Sequence, residues 1–165
     1  LNEDNPKLNC RLRNMQKFSP IRIVLDNNLY TNNQSYIFKT ANKTNTIIFY
    51  NEAERSKIFK FKKKKIQLIK AKINRDKKFD IKFINKKLYN MGCRNILIEG
   101  GNDLTNNLLI SKTFNQFFVF KGSKNLSKAK EYKKFKSLKI LNQNYKDKFK
   151  LNSYLKKDTI TLYKN

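Results

Sequence analysis

A chain of 165 residues with 39% hydrophobic side chains is long enough for one domain with its own core, burying roughly 70% of the surface its unfolded form would expose. It holds no histidine, which excludes serine and cysteine triads and the usual zinc hydrolase and deaminase sites, all of which need an imidazole. The net charge is +26, but it comes from 32 Lys and only 6 Arg, beside 24 Asn. Base-edge recognition leans on the forked guanidinium of Arg, so this bias reads as that of an AT-rich genome, and nucleic acid is not the expected partner.

Residues 1–6 carry neither the basic nor the apolar part of a signal peptide, and no run approaches the ~20 apolar residues of a membrane-spanning helix. A cytoplasmic protein without a membrane partner is expected. The chain opens on Leu1 inside a turn, Asp4-Asn5-Pro6, and reads as a piece of a longer product. Leu8, Cys10 and Arg11 follow; alone, they form a surface loop. Cys10 and Cys93 are too few and too far apart for a disulfide framework or a metal knuckle, and without histidine to activate them they read as small buried or half-buried residues in a reducing compartment.

Pro20 precedes Ile21-Arg22-Ile23-Val24-Leu25-Asp26, which predicts a strand ending in the turn Asp26-Asn27-Asn28. Residues 36–38, 46–50 and 66–70 are further apolar runs of strand length. Between the last two, residues 59–65 interleave aromatics with lysines, as single-strand binding surfaces do, but the run reads as a solvated loop. Asp80 caps a predicted helix in which Ile81, Ile84, Leu88 and Met91 recur at helical spacing, with Gly92 as its left-handed terminator. Asn95-Ile96-Leu97-Ile98-Glu99 predicts a strand buried on both faces, so residues 66–99 read as a βαβ unit.

Glu99 then stands at the tip of a strand, where ligands gather in open α/β sheets. Gly100 and Gly101 let the backbone approach a ligand. The predicted helix after them, with Leu104, Leu108 and Leu109 on one side, offers N–H groups and a positive dipole end to a phosphate. Phe117-Phe118-Val119-Phe120 predicts a buried strand, while Leu138-Lys139-Ile140-Leu141 and Thr159-Ile160-Thr161-Leu162-Tyr163 predict closing strands at a sheet edge. With no repeat and no linker, residues 1–165 read as a single domain.

Taken in order, Asp4-Asn5-Pro6-x-Leu8-x-x-Arg11, Pro20-Ile21-Arg22-Ile23-Val24-Leu25-Asp26 and Ile96-Leu97-Ile98-Glu99-Gly100-Gly101 resemble the reductase domain of the bifunctional riboflavin-biosynthesis deaminase-reductase, from Asp4 to about Phe120. The resemblance implies an α/β fold of the dihydrofolate-reductase-like type, a mostly parallel sheet flanked by helices with antiparallel C-terminal strands. It also implies a homodimer and NADPH-dependent reduction of the ribose of 5-amino-6-(5-phosphoribosylamino)uracil to the ribityl form. By motif, Leu8, Arg11 and Glu99 bind the phosphorylated pyrimidine substrate, with Arg11 suited to its phosphate. Asp4, Asn27, Gly100, Gly101, Asn102, Asp103, Leu104, Thr105, Asn106 and Asn107 bind NADPH; no catalytic residue and no metal ligand is assigned. A histidine-free enzyme is compatible with hydride transfer, in which the nicotinamide does the chemistry and the protein fixes distance and orientation.

The chain departs from that family in three places. The family's first strand and helix, with a lysine near the reacting carbon, would precede Leu1, so residues 1–165 read as an N-terminally incomplete reductase domain with little turnover of its own. The zinc deaminase half is absent from these residues. Thr113-Phe114-Asn115-Gln116 and Phe120-Lys121-Gly122-Ser123 replace an acidic residue and a strand exit containing proline and glycine, leaving that region either dimer-facing or substrate-facing. Two rival readings are a basic RNA- or ribosome-associated module, with residues 59–65 and 128–139 as its surface and a steep salt dependence as its mark, and a pterin reductase of the same fold. Arg11, Glu99 and the Asp-Asn-Pro turn argue against the second.

Overall fold

The β-branched run behind Pro20 becomes β1 (Arg22–Leu25), which pairs in parallel with β2 (Thr46–Tyr50), itself paired in parallel with β3 (Gln67–Lys70). The computed structural model describes residues 4–43, 45–123, 135, 137–152, 154 and 157–165, in two compact units, Leu1–Ile84 and Asn85–Asn165. In the first unit β2 is the middle strand, and Thr46, Ile47, Ile48 and Phe49 are all buried, as a parallel strand covered on both faces requires. Parallel neighbours need a crossover; α1 (Tyr36–Lys39) lies between β1 and β2, and α2 (Arg55–Lys63) between β2 and β3. Phe61 of α2 meets Phe38 of α1 edge-on at 5.0 Å between ring centres, in a core with Val24, Leu29, Ile37 and Ile48.

Two expectations for this unit are corrected. Residues 36–38 are helix α1, not a strand: Asn5 Oδ1 accepts from the Tyr36 N–H at 2.7 Å and Ser35 Oγ from the Phe38 N–H at 3.3 Å. These caps satisfy donors of the first turn and outweigh a three-residue apolar pattern. Residues 59–63 are the end of α2, not a loop; Phe61 is buried while Phe59 is exposed. Lys60, Lys62 and Lys63 stand in the last turn of α2, where cations favour the negative end of the helix dipole.

Helix α3 (Ile81–Asn90) forms as expected. Asp80 Oδ1 accepts from the N–H groups of Lys82 and Phe83 at 2.9 and 3.2 Å, Ile81, Ile84 and Leu88 are buried, and Gly92 follows with φ +90°. The strand expected at 95–99 does not form: these residues belong to no strand, and Leu97 is 84% exposed. Among the described residues no ladder pairs with this run, and the βαβ unit over 66–99 is not completed.

The second unit contains α4 (Asn102–Ser111), β4 (Gln116–Lys121), α5 (Leu138–Asn144), β5 (Lys148–Leu151) and β6 (Thr159–Lys164), with β6 between β4 and β5 in an antiparallel sheet. β6 is a strand as expected. β4 is a strand too, but not the buried one expected, since Phe118 and Phe120 are exposed and Phe117 and Val119 only half-buried. The run at 138–141 belongs to helix α5 rather than to a closing strand. Four residues cannot separate a period of 2 from one of 3.6; Leu141 and Tyr145, one helical turn apart, decide it by packing with Leu109 and Tyr163. Of the lysine-rich stretch 128–139, residues 128–134 and 136 lie outside the described residues. A parallel sheet with helical crossovers and antiparallel C-terminal strands is the α/β class expected.

Tyr145 is buried, its hydroxyl donates to the Leu109 carbonyl at 2.7 Å, and burial pushes its pKa above the ordinary value. A raised pKa means that the unfolded chain ionises first, so this contribution is complete below about pH 10 and is lost as pH rises through the folded-state value. Tyr145→Phe is expected to cost about 1 kcal/mol at neutral pH and to flatten the alkaline decline, read from urea midpoints between pH 7 and 11.

Candidate functional site

The carboxyl edge of the parallel sheet carries the first part of the site. Asp26 ends β1, and its carboxylate accepts from the Tyr30 N–H at 2.8 Å and from both the Thr31 N–H and hydroxyl at 2.6 Å. That folds residues 26–31 back on themselves. The Asn27 carbonyl accepts from the N–H groups of Asn51 and Glu52 at 2.9 and 3.1 Å, and Asn28 Nδ2 donates to the Glu52 carbonyl at 3.3 Å. The turns after β1 and β2 are therefore tied together. Asn27 Oδ1 is buried without a hydrogen-bond partner, and a buried acceptor left unsatisfied is costly unless a ligand or water meets it.

The turn at 4–6 is fastened to the same unit through Asn5, whose Oδ1 caps α1. Leu8 is partly buried against the core around Val24 and Ile48 and takes a positive φ of 45°. Asp4 and Arg11 are exposed. Leu8 is thus an anchor for this loop as well as a substrate candidate, and Asn5, passed over in the sequence, is the residue that holds the loop to α1. An asparagine before proline is common turn chemistry, so nothing local distinguishes that role.

In the second unit Glu99 and Gly100 are exposed and precede α4, outside any strand. Gly101 is the N-cap residue of α4 and provides no side-chain cap, so the helix start is capped by no side chain and suits an anion. A Cβ at Gly101 would meet nothing within 4 Å, whereas one at Gly100 would stand 2.8 Å from Leu104 Cδ2 and 3.1 Å from its Cβ. Gly100 is there for close packing on Leu104; the space over Gly101 is open to a ligand. Asp103 lies in the first turn, and Leu108 and Leu109 bury the other side of the helix. Asp4, Leu8, Arg11 and Asn27 belong to the first unit, and Glu99 to Asn107 to the second.

Sequence reasoning also passed over a cavity of about 300 Å³ in the first unit, floored by Leu29 and Phe61 and edged by Tyr30, Thr31, Lys57 and Lys60. Lys57 Nζ sits 4.7 Å from the Tyr30 ring centre. Only the fold brings residues 29–33 beside α2. Among the described residues no cluster of carboxylates and cysteines is arranged to hold a metal ion, and no helix is long and apolar enough to cross a membrane. In the first unit the unsatisfied acceptor at Asn27 suits a hydroxyl donor; in the second, the open space over Gly101 at the start of α4 suits a phosphate.

Comparison with known proteins identifies the family and the fold. A family model described as the RibD C-terminal domain matches residues 1–153. Over 117 residues the chain is 31% identical to riboflavin biosynthesis protein RibD of Actinobacillus pleuropneumoniae, a match covering 71% of this chain and 30% of that protein; the chain thus spans about a third of that relative. The crystal structure of a pyrimidine reductase-like protein from Corynebacterium diphtheriae shares the fold, with a TM-score of 0.73 at 14% identity over 99% of this chain and 71% of that one.

Proposed function

We propose, because the chain belongs to the RibD C-terminal domain family, that it takes part in NADPH-dependent reduction of the ribose of 5-amino-6-(5-phosphoribosylamino)uracil in riboflavin biosynthesis. The observation that carries the cofactor half is the buried, partnerless Asn27 Oδ1 beyond β1, at the edge where α/β sheets bind nucleotides. In this reading Asn27 accepts from a cofactor hydroxyl, and the backbone from Gly101 onward receives phosphate oxygens at the start of α4. Asp4 contributes a further contact to the cofactor. NADPH, when bound, supplies the hydride.

Leu8, Arg11 and Glu99 serve the substrate. Arg11 offers its phosphate two parallel N–H donors, and Glu99 accepts hydrogen bonds from sugar hydroxyls or the pyrimidine. The chain's work is orientation, worth as much as a strong acid or base when it holds a near-attack geometry. The RNA-module alternative loses part of its platform, because Phe61 is committed to the core and of the two aromatics in that run only Phe59 is free to stack.

The test is thermal stabilisation by NADPH. At a hundredfold excess over Kd, binding adds about 2.7 kcal/mol, or roughly 5–10 °C for a chain of this size. Gly101 has φ −72° and open space around it, so Gly101→Val is expected to melt like wild type without ligand and to lose the NADPH shift. A wild-type protein unmoved by NADPH, but binding RNA with a steep salt dependence, would transfer the assignment to the RNA module.

A further inference from the structure

The loop that carries Asn27 continues into the cavity beside α2. The Asp26 carboxylate holds its far end by accepting from Tyr30 and Thr31. Leu29, between them, is buried with φ 53°, a backbone conformation uncommon for a bulky residue and kept only where the surroundings over-determine it. The shape of the cavity is thus fixed by the fold. At about 300 Å³ it stands at the small end of ligand sites, with room for one end of a dinucleotide and not for the whole.

Lys57 and Lys60, one helical turn apart on α2, edge this cavity together with Tyr30 and Thr31. Among the described residues no carboxylate lines it and neither lysine has an acidic partner. Lys57 Nζ lies instead 4.7 Å from the centre of the Tyr30 ring, and that ring is 68% exposed, which leaves it a surface on which a purine stacks. Dinucleotide sites that prefer the unphosphorylated form set an acid against the ribose 2′-hydroxyl, whereas a phosphate at that position calls for a cation. This cavity has the cations and lacks the acid.

Resting on the reading of the chain as dinucleotide-dependent, we propose that the cavity holds the adenosine end of the cofactor and that Lys57 and Lys60 select its 2′-phosphate. Tyr30 carries the adenine. Asn27, two positions before Leu29, accepts from the 3′-hydroxyl of the same ribose through its buried Oδ1. The discrimination is electrostatic: the phosphate brings up to two negative charges, and its charge-assisted hydrogen bonds to two ammonium groups are stronger than any a neutral hydroxyl makes. Neither lysine belongs to the motifs that carry the other contacts, and only the packing of α2 brings them to residues 29–33.

Calorimetric titration of the purified protein with NADPH, NADH, 2′,5′-ADP and 5′-AMP tests this. Wild type is expected to bind each 2′-phosphorylated ligand at least ~30-fold more tightly than its counterpart. Lys57→Gln and Lys60→Gln are each expected to weaken NADPH and 2′,5′-ADP about tenfold, the usual size of one charge-assisted hydrogen bond, and to leave NADH unchanged. Glutamine matches lysine as a helix former, so α2 is preserved. Lys62→Gln with Lys63→Gln removes the same charge from α2 outside the cavity and is expected to change neither dinucleotide. A protein with both Lys57→Gln and Lys60→Gln that keeps wild-type NADPH affinity, or that loses NADPH and NADH in equal measure, overturns this assignment alone. A wild type that binds neither dinucleotide overturns the functional reading together with it.

Discussion

Arg22→Ala is expected to destabilise the first unit by about 3 kcal/mol or more, the sum of lost charge-assisted hydrogen bonds and stranded hydroxyls, and to lower Tm by roughly 6–12 °C. Arg22 is 1% exposed. Its Nε and Nη2 donate to Thr46 Oγ1 at 3.2 and 3.0 Å, and its Nη1 to Thr40 Oγ1 at 2.8 Å. Thr40 Oγ1 in turn donates to the Tyr36 carbonyl at 2.7 Å. One guanidinium therefore joins β1, β2 and the end of α1, and burial pulls its pKa down from the ordinary arginine value. Arg22→Met keeps the length and removes the desolvated charge, so it is expected to cost less than half as much as the alanine variant, since apolar replacements of buried charges are well tolerated. Urea titrations of the two variants separate these terms; an alanine variant within about 1 kcal/mol of wild type would show that the network carries no net stability.

The second large effect is expected at Asp26. Its carboxylate accepts three hydrogen bonds from Tyr30 and Thr31, and Asp26→Ala leaves two backbone donors without their acceptor, at a cost of about 2–3 kcal/mol. The same loop carries Asn27. Asp26→Ala is therefore expected to weaken NADPH binding at least tenfold, equal to ~1.4 kcal/mol, by calorimetric titration at a temperature where the variant is fully folded. Asp26→Asn, which keeps one acceptor oxygen, is expected to fall between. Full NADPH affinity in a destabilised Asp26→Ala would separate the loop from the cofactor and remove Asn27 from the site.

The legible parts of the fold are those in which the signal and its consequence lie within a few residues of each other. Asp80 and Gly92 bracket α3 because a cap and a left-handed terminator act on the turn beside them. The run at 46–50 is a strand because its continuous apolar pattern demands cover on both faces. Gly101 was recognisable as a place where backbone lies open. Arg22, by contrast, looked like one polar residue in a β-branched run, because its acceptors lie 18 and 24 residues away.

Where partners are distant, residue order pointed the wrong way or nowhere. The runs at 36–38 and 95–99 are both apolar and of strand length; Asn5, 31 residues upstream, helps make the first a helix, while the second pairs with no strand among the described residues and is exposed. The phenylalanines of β4 read as core, yet the antiparallel register leaves Phe117 and Val119 only half-buried against the cluster of Leu109 and Leu141 and turns Phe118 and Phe120 outward. Composition, caps and glycines act through local sterics and hydrogen bonds, which residue order contains in full. Which edge is paired and which face is covered depends on contacts that exist only once distant segments have met.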